Sequence, residues 1–222
     1  MITDFLTEEG DRLSCVASVG ASAKSRVRRH TFQPMAMMGI EYEQRRGARI
    51  QRLIEARIAE PHVSLTTDAC KLSMIIFLSE FLCYATPCER QNPSLFAYTA
   101  NSMRWLDGCS SPAANFHLVF MMRVARFIGF LPNTEGYSEG DVFDLQQAVF
   151  TSSPPLHGNY LDSGDSARML KLMRMDYNTM HLFRMSRDER NRITDIILFF
   201  YRLHVPGFPE MRSLGVLREL WE

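Results

Sequence analysis

The feature that most restricts the fold of this chain is a change of hydrophobic period at Pro61. Before it, apolar side chains recur at every second residue, the spacing of a half-buried strand. Ile2 to Phe5 is a short apolar run followed by the turn Glu8-Glu9-Gly10-Asp11, and Leu13, Cys15, Ala17 and Val19 then alternate with polar or small neighbours. Pro34 opens a third run, Met35 to Tyr42. Ile50 to Ile58 is a fourth, with Ile54, Ala56 and Ile58 expected on one side and Leu53, Glu55 and Arg57 on the other. After Pro61 the apolar residues recur at helical spacing. The reading is therefore an α+β chain: residues 1–60 as a small antiparallel barrel, residues 61–222 as a helical domain. Four strands are one short of a closed five-stranded barrel, so the barrel is expected to be open or to need a further segment before Met1.

The helical part is punctuated by its own stop and start signals. Thr66 or Thr67 is expected to cap a helix carrying Leu72, Ile75, Ile76 and Cys83, and Asn92-Pro93 and Ser111-Pro112 each pair a cap with proline at the first helical position. The helix expected from Pro112 to about Leu131 is apolar over most of its circumference, which places it at the centre of a bundle. Residues 133–165 are rich in Gly, Pro, Ser and Asp and are expected to be loops around one short helix between Val142 and Phe150. Ser186 and Glu189 form a capping box ahead of Ile193, Ile196, Ile197 and Phe200, and Pro206-Gly207 ends that helix. A last short helix is expected from Met211 to Trp221.

Charge is placed unevenly. The chain carries 25 basic and 25 acidic side chains, so a local excess is not a by-product of composition. The connector from Gly20 to Pro34 holds Lys24, Arg26, Arg28 and Arg29 and no carboxylate, and the turn Gln44 to Arg49 adds Arg45, Arg46 and Arg49. Guanidinium groups fork onto phosphate oxygens, and such binding releases counterions. In a small barrel the loops and one face form the groove for single-stranded nucleic acid. Only Phe32 and Tyr42 are at hand to stack on bases, so a backbone-dominated, sequence-tolerant grip is expected. Arg52 and Arg57 are read as solvated strand positions.

Signs of bond-making chemistry are lacking in the sequence. There is no phosphate-binding glycine loop, no nucleophile elbow and no His-Glu-x-x-His. The five cysteines are scattered, none at C-x-x-C spacing, and are read as reduced thiols with no metal and no cofactor. The amino terminus is acidic and no apolar run is long enough for a bilayer, so the default expectation is cytoplasmic, without a membrane partner. A second candidate site lies on the Pro112 helix, where Asn115, Val119, Met122, Arg123 and Arg126 share one side. Two cations beside apolar neighbours suit an acidic peptide ending in a hydrophobic residue.

Several segments, loose singly but specific in their order and spacing, resemble the RecO (recombination protein O) family of DNA repair proteins. They are Thr7 to Gly10, Val19 to Ser25, Phe32-Gln33-Pro34, Ala114 to Leu118, Ile128 to Asn133, Phe143 to Leu145, Met180 to Arg184, Ser186 to Arg192 and Tyr201 to Phe208. The resemblance implies an amino-terminal OB fold and a helical carboxy-terminal domain, and a non-enzymatic role in the RecF recombination pathway. It implies binding of single- and double-stranded DNA, annealing of complementary strands, and work with RecR in loading RecA onto strands covered by single-stranded DNA-binding protein. The acidic carboxy-terminal tail of that protein would dock on the helical domain, here at Val119, Met122, Arg123 and Arg126. The family's basic segment carries over at Lys24 and Ser25, and more loosely at Arg26, Arg28 and Arg29. Two departures stand out: the four-cysteine zinc module of many members is missing, and the sequence joins the family pattern at its second strand. The rival readings are an adaptor whose basic connector meets an acidic protein without contacting DNA, and an enzyme using His157 or His181.

Overall fold

The computed structural model describes residues 1–20, 26–87, 91–110 and 113–219, and these form two compact units, Met1–Gly108 and Cys109–Glu222. The first unit opens with four strands: β1 (Ile2–Leu6), β2 (Arg12–Val16), β3 (Met37–Glu43) and β4 (Gln51–Glu60). They lie in the order β1-β2-β4-β3. The β1–β2 and β3–β4 pairs are antiparallel and β2 runs parallel to β4. Among the described residues no strand pairs with the outer edges of β1 and β3, so the sheet is an open barrel. Its core is Cys15, Ala17, Val27, Leu53 and Ala56, packed by Phe5, Leu13, Val19, Phe32, Met38 and Ile40.

The expected facing of β4 is corrected. Leu53 and Ala56 are the buried pair, while Ile54 and Ile58 are 43% and 47% exposed. A β-bulge puts Leu53 and Ala56 on one side and Ile54 off it: Glu55 lies opposite Glu41 and Leu53 opposite Tyr42, which leaves Ile54 as an extra residue. An inserted residue breaks the period of two, so side chains three apart point the same way. Strict alternation could not have found this.

The strands give way to helices at the expected place, with α1 (Ser64–Thr67), α2 (Ala69–Ala85) and α3 (Pro93–Gly108). The compact unit nevertheless runs on to Gly108, because polar bonds tie these helices to the sheet. The Arg12 guanidinium donates to the Cys83 carbonyl at 2.7 Å and to Asp4 at 3.1 Å. Arg104 forks onto Glu60 of β4, with its closest contact at 2.8 Å. At the β1–β2 turn Gly10 has φ +80°, and a Cβ there would lie 2.0 Å from the Asn92 backbone. The cap of α2 is Asp68, not Thr66 or Thr67, its carboxylate accepting from the amides of Cys70 and Lys71. The expected face of α2 shifts with it: Ile75 is buried, but Met74, Phe77, Leu78, Phe81 and Leu82 carry the core in place of Leu72, Ile76 and Cys83. The α3 cap is as expected, with Asn92 accepting from the Leu95 amide.

The second unit is built around α4 (Phe116–Phe127), buried on nearly every side as its apolar circumference requires. Ser111 and Pro112, expected to start it, lie outside the described residues, and the described helix begins after Asn115, whose amide donates to the carbonyls of Met180 and Phe183. The region expected as loops around a short helix instead holds three short strands, β5 (Val142–Asp144), β6 (Val149–Thr151) and β7 (Tyr160–Leu161). Asp144 turns the chain by accepting from the amides of Gln146 and Gln147, and Ala148 takes φ +57°, so the residues between cannot continue a helix. Three helices follow: α5 (Ser163–Arg174), α6 (Arg187–His204) and α7 (Leu214–Glu219). The capping box of Ser186 and Glu189 is formed in both directions and opens α6. Its buried Ile193, Ile196, Ile197 and Phe200 face the core, each contributing about 1.5–3 kcal/mol of burial.

Candidate nucleic-acid interface

Lys24 and Ser25 lie outside the described residues. The connector re-enters at Arg26, where the chain is pinned by a buried side chain. Val27 is 4% exposed and belongs to the barrel core. The Ala56 amide donates to the Arg26 carbonyl at 3.2 Å and the Gly20 amide to the Val27 carbonyl at 3.2 Å. Val27 is buried while its neighbours Arg26 and Arg28 are exposed, so the buried side chain anchors the bend from which both cations project. Arg29 is exposed at the start of a 3-10 turn, Arg29–Thr31, which is fixed by the buried Thr31. Here apolar packing sets the direction of charge.

The second basic segment is equally well ordered. The Arg45 amide donates to the Gln51 side-chain oxygen at 2.6 Å, and the Gln51 amide group donates to the Ala48 carbonyl at 2.8 Å. Gln51 thus staples the turn that presents Arg45, Arg46 and Arg49, all exposed. Among the described residues Arg26, Arg46 and Arg49 have no acidic partner, whereas Arg45 lies 3.2 Å from Glu43.

A cleft of about 380 Å³ lies on this surface, lined by Ser18, Arg26, Val27, Glu43, Arg52, Leu53 and Ile54. It brings Arg26 of the connector to Arg52 of β4. Arg52 was read from the sequence as a solvated strand residue; its place in the cleft depends on the parallel β2–β4 pairing and the bulge beside it, neither of which has a local sequence signal. Arg28, Arg29, Arg46 and Arg49 do not line the cleft, and Arg57 lies apart, over Gly39. Of the two aromatics, Phe32 packs against Phe5 with ring centres 6.5 Å apart and is lost to the core, which leaves Tyr42, 40% exposed.

The second candidate site is also a hollow. Val119, Met122 and Arg123 of α4 line a pocket of about 120 Å³ with Leu131, Pro132, Thr134, Leu172, Met173 and Met175. The Arg123 guanidinium donates to the Met175 carbonyl at 3.2 Å, so it is held at the rim. Arg126 is exposed and outside the lining, and Asn115 is buried in structural bonds. The helical wheel found one wall; the other comes from residues far along the chain.

Two of the histidines, His117 and His157, have structural contacts. His117 is fully buried, its Nε2 3.3 Å from the Thr194 hydroxyl, and burial first and Arg190 second push its pKa down from 6.5 to about 3. His157 sits 3.3 Å from the Asp144 carboxylate and orders the turn before β7. Among the described residues no three His, Cys, Asp or Glu side chains cluster as metal ligands. No helix among them is long and apolar enough to cross a membrane.

The family model for the carboxy-terminal part of recombination protein O covers residues 66–213, two thirds of the chain. The DNA repair protein RecO of Phocaeicola vulgatus is 47% identical over 220 residues, which is 99% of this chain and 91% of that protein. That of Bacteroides fragilis is 44% identical over 222 residues, 100% and 92% of the two chains. The chain belongs to the RecO family. Its role is therefore in DNA repair and recombination, as the segments quoted above implied. The start of the family model at residue 66 lies close to the change from strand to helix, not to the division of the compact units after Gly108.

Proposed function

We propose that this RecO-family protein is a non-enzymatic recombination mediator that grips DNA through residues 1–60 and docks proteins through residues 61–222. The grip consists of Arg26, Arg28, Arg29, Arg45, Arg46 and Arg49, with Lys24 and Ser25 from the same connector and Arg52 added by the cleft. The observation that supports this reading is a cleft lined by Arg26 of the connector and Arg52 of β4, with Arg45 of the second basic turn beside its Glu43, in a chain with no net charge. Phosphates of single or double strands neutralise these cations without base readout. Two strands held beside guanidinium groups repel each other less, so annealing meets a lower barrier. Work with RecR and loading of RecA onto strands covered by single-stranded DNA-binding protein complete the role, in the cytoplasm at the nucleoid.

The partner site is the pocket of Val119, Met122 and Arg123. It takes an apolar terminal side chain of the acidic tail of single-stranded DNA-binding protein, while Arg123 at the rim meets a carboxylate and Arg126 adds longer-range attraction. Methionines suit such a socket because they adapt in shape.

Fluorescence anisotropy with unrelated labelled oligonucleotides, titrated at several salt concentrations, tests the grip. Changing Lys24, Arg26, Arg28 and Arg29 together to Ala should weaken binding alike for all sequences and flatten the salt dependence. Unchanged affinity and slope would remove the phosphate-grip assignment and leave the adaptor reading. For the tail, a labelled acidic peptide ending in Phe should bind the wild type. It should lose at least tenfold with Arg123→Glu and clearly less with Arg126→Glu; equal losses would move the site off the pocket.

A further inference from the structure

Among the described residues Glu43 is the one carboxylate lining the cationic cleft. It stands at the end of β3, 3.2 Å from the Arg45 guanidinium and 3.9 Å from that of Arg52. All three side chains are about half exposed, at 48%, 53% and 63% for Glu43, Arg45 and Arg52. A carboxylate and a phosphodiester share their essential chemistry: one negative charge spread over two oxygens, accepting from guanidinium forks. Glu43 therefore occupies, within the chain itself, the position that a nucleic-acid phosphate would take between Arg45 and Arg52.

We propose that Glu43 is an internal competitor for the DNA phosphate, masking Arg45 and Arg52 in the free protein and being displaced when a strand enters the cleft. The proposal rests on the nucleic-acid reading above and names what tunes it. Three features fit displacement. The ion pairs lie in water and are weakened by salt, so they yield readily. The Arg45 turn is held by Gln51 through backbone bonds and not by Glu43, so releasing Glu43 leaves the turn in place. Arg26, on the other wall of the cleft, has no acidic partner among the described residues and can receive the first phosphate before the mask opens. The consequence is a site of restrained affinity, able to release one strand and take another, as a protein that pairs strands must.

The test compares the wild type, Glu43→Gln and Glu41→Gln by anisotropy with a labelled oligothymidylate between 25 and 200 mM NaCl. Glu41 is an exposed acid two residues earlier on β3, opposite Glu55 and outside the cleft lining, and controls for loss of one negative charge. Removing the mask in Glu43→Gln should tighten binding at least about fivefold at 25 mM, and the gain should shrink towards 200 mM as salt weakens the ion pairs that Glu43 makes in the wild type. Glu41→Gln should gain clearly less at 25 mM. Wild-type affinity in Glu43→Gln at 25 mM, or an equal gain in Glu41→Gln, would overturn the proposal and leave the nucleic-acid reading standing. Failure of both the wild type and Glu43→Gln to bind at 25 mM would overturn both together.

Discussion

His117 provides the sharpest quantitative test of the second unit. Its ring is enclosed on α4, with Nε2 3.3 Å from the Thr194 hydroxyl; that hydroxyl donates its own proton to the Arg190 carbonyl at 2.8 Å. A second proton would put a charge in an apolar interior beside the Arg190 guanidinium, and the pKa falls from 6.5 to about 3. The unfolded chain binds that proton at pH 6.5, whereas the folded chain does so only near pH 3. Stability is therefore unaffected above pH 7 and declines as pH falls from 6.5 towards 3, by about 1.4 kcal/mol per unit. Between pH 8 and pH 5 the loss is about 2 kcal/mol, or roughly 4–8 °C in Tm for a chain of this size. The perturbation is His117→Gln, which keeps a hydrogen-bonding side chain near Thr194 and cannot be protonated. Melting curves by circular dichroism at pH 8 and pH 5 should show that most of this loss disappears in the variant. The imidazole proton resonances of the wild type give an independent measure that does not depend on how well the variant folds. A resonance assigned to His117 that titrates near pH 6.5 in the folded protein would refute the reasoning.

Three further expectations follow from particular contacts. Replacing Arg46 and Arg49 together by Ala should reduce the salt slope for single strands by about 1.4, since two exposed cations are removed; an unchanged slope in oligonucleotide titrations would take that turn out of the interface. Gln51→Ala should weaken DNA binding without altering the slope, because it loosens the turn that carries the cations but removes no charge; a changed slope would show that Gln51 is not merely a positioning residue. Gly10→Ala should destabilise the first unit by more than about 3 kcal/mol, since it combines a left-handed φ with a backbone collision; a Tm within a degree or two of wild type would show that the Gly10–Asn92 approach is not rigid.

Much of the architecture was legible because it is encoded locally. The change of period at Pro61, the Asn92-Pro93 start, the Ser186–Glu189 box and the Pro206-Gly207 stop each act within one turn of chain. What was missed is encoded at a distance. The bulge at Ile54 exists because β3 and β4 pair in a particular register, and it reverses the inward and outward sides of β4. The strand pair Val142–Asp144 and Val149–Thr151 hides in a segment whose apolar residues are too few to separate a period of two from one of 3.6. At the sites, individual cations were found but their grouping was not. Arg52 reads as a strand residue until β2 is known to lie beside it. The far wall of the Arg123 pocket comes from residues 131–134 and 172–175, which no helical wheel of α4 contains.

Both candidate sites use the same physical device. A buried apolar side chain sits next to four of the candidate cations: Val27 beside Arg26 and Arg28, Leu53 beside Arg52, Met122 beside Arg123. Long cationic side chains are poor at holding their own position, since each loses rotamer freedom on binding. An adjacent core residue fixes the backbone from which the cation projects and so lessens what must be ordered when a ligand arrives. This accounts for how a chain with no net charge concentrates positive potential where a phosphate could meet it. It also predicts that trimming an anchor acts on binding through geometry alone. Val27→Ala should lower DNA affinity while leaving the salt slope intact, because every cation is still present but Arg26 and Arg28 are no longer aimed. A flattened slope in Val27→Ala would mean that cations had been lost from the contact, and that burial beside them does not serve to direct them.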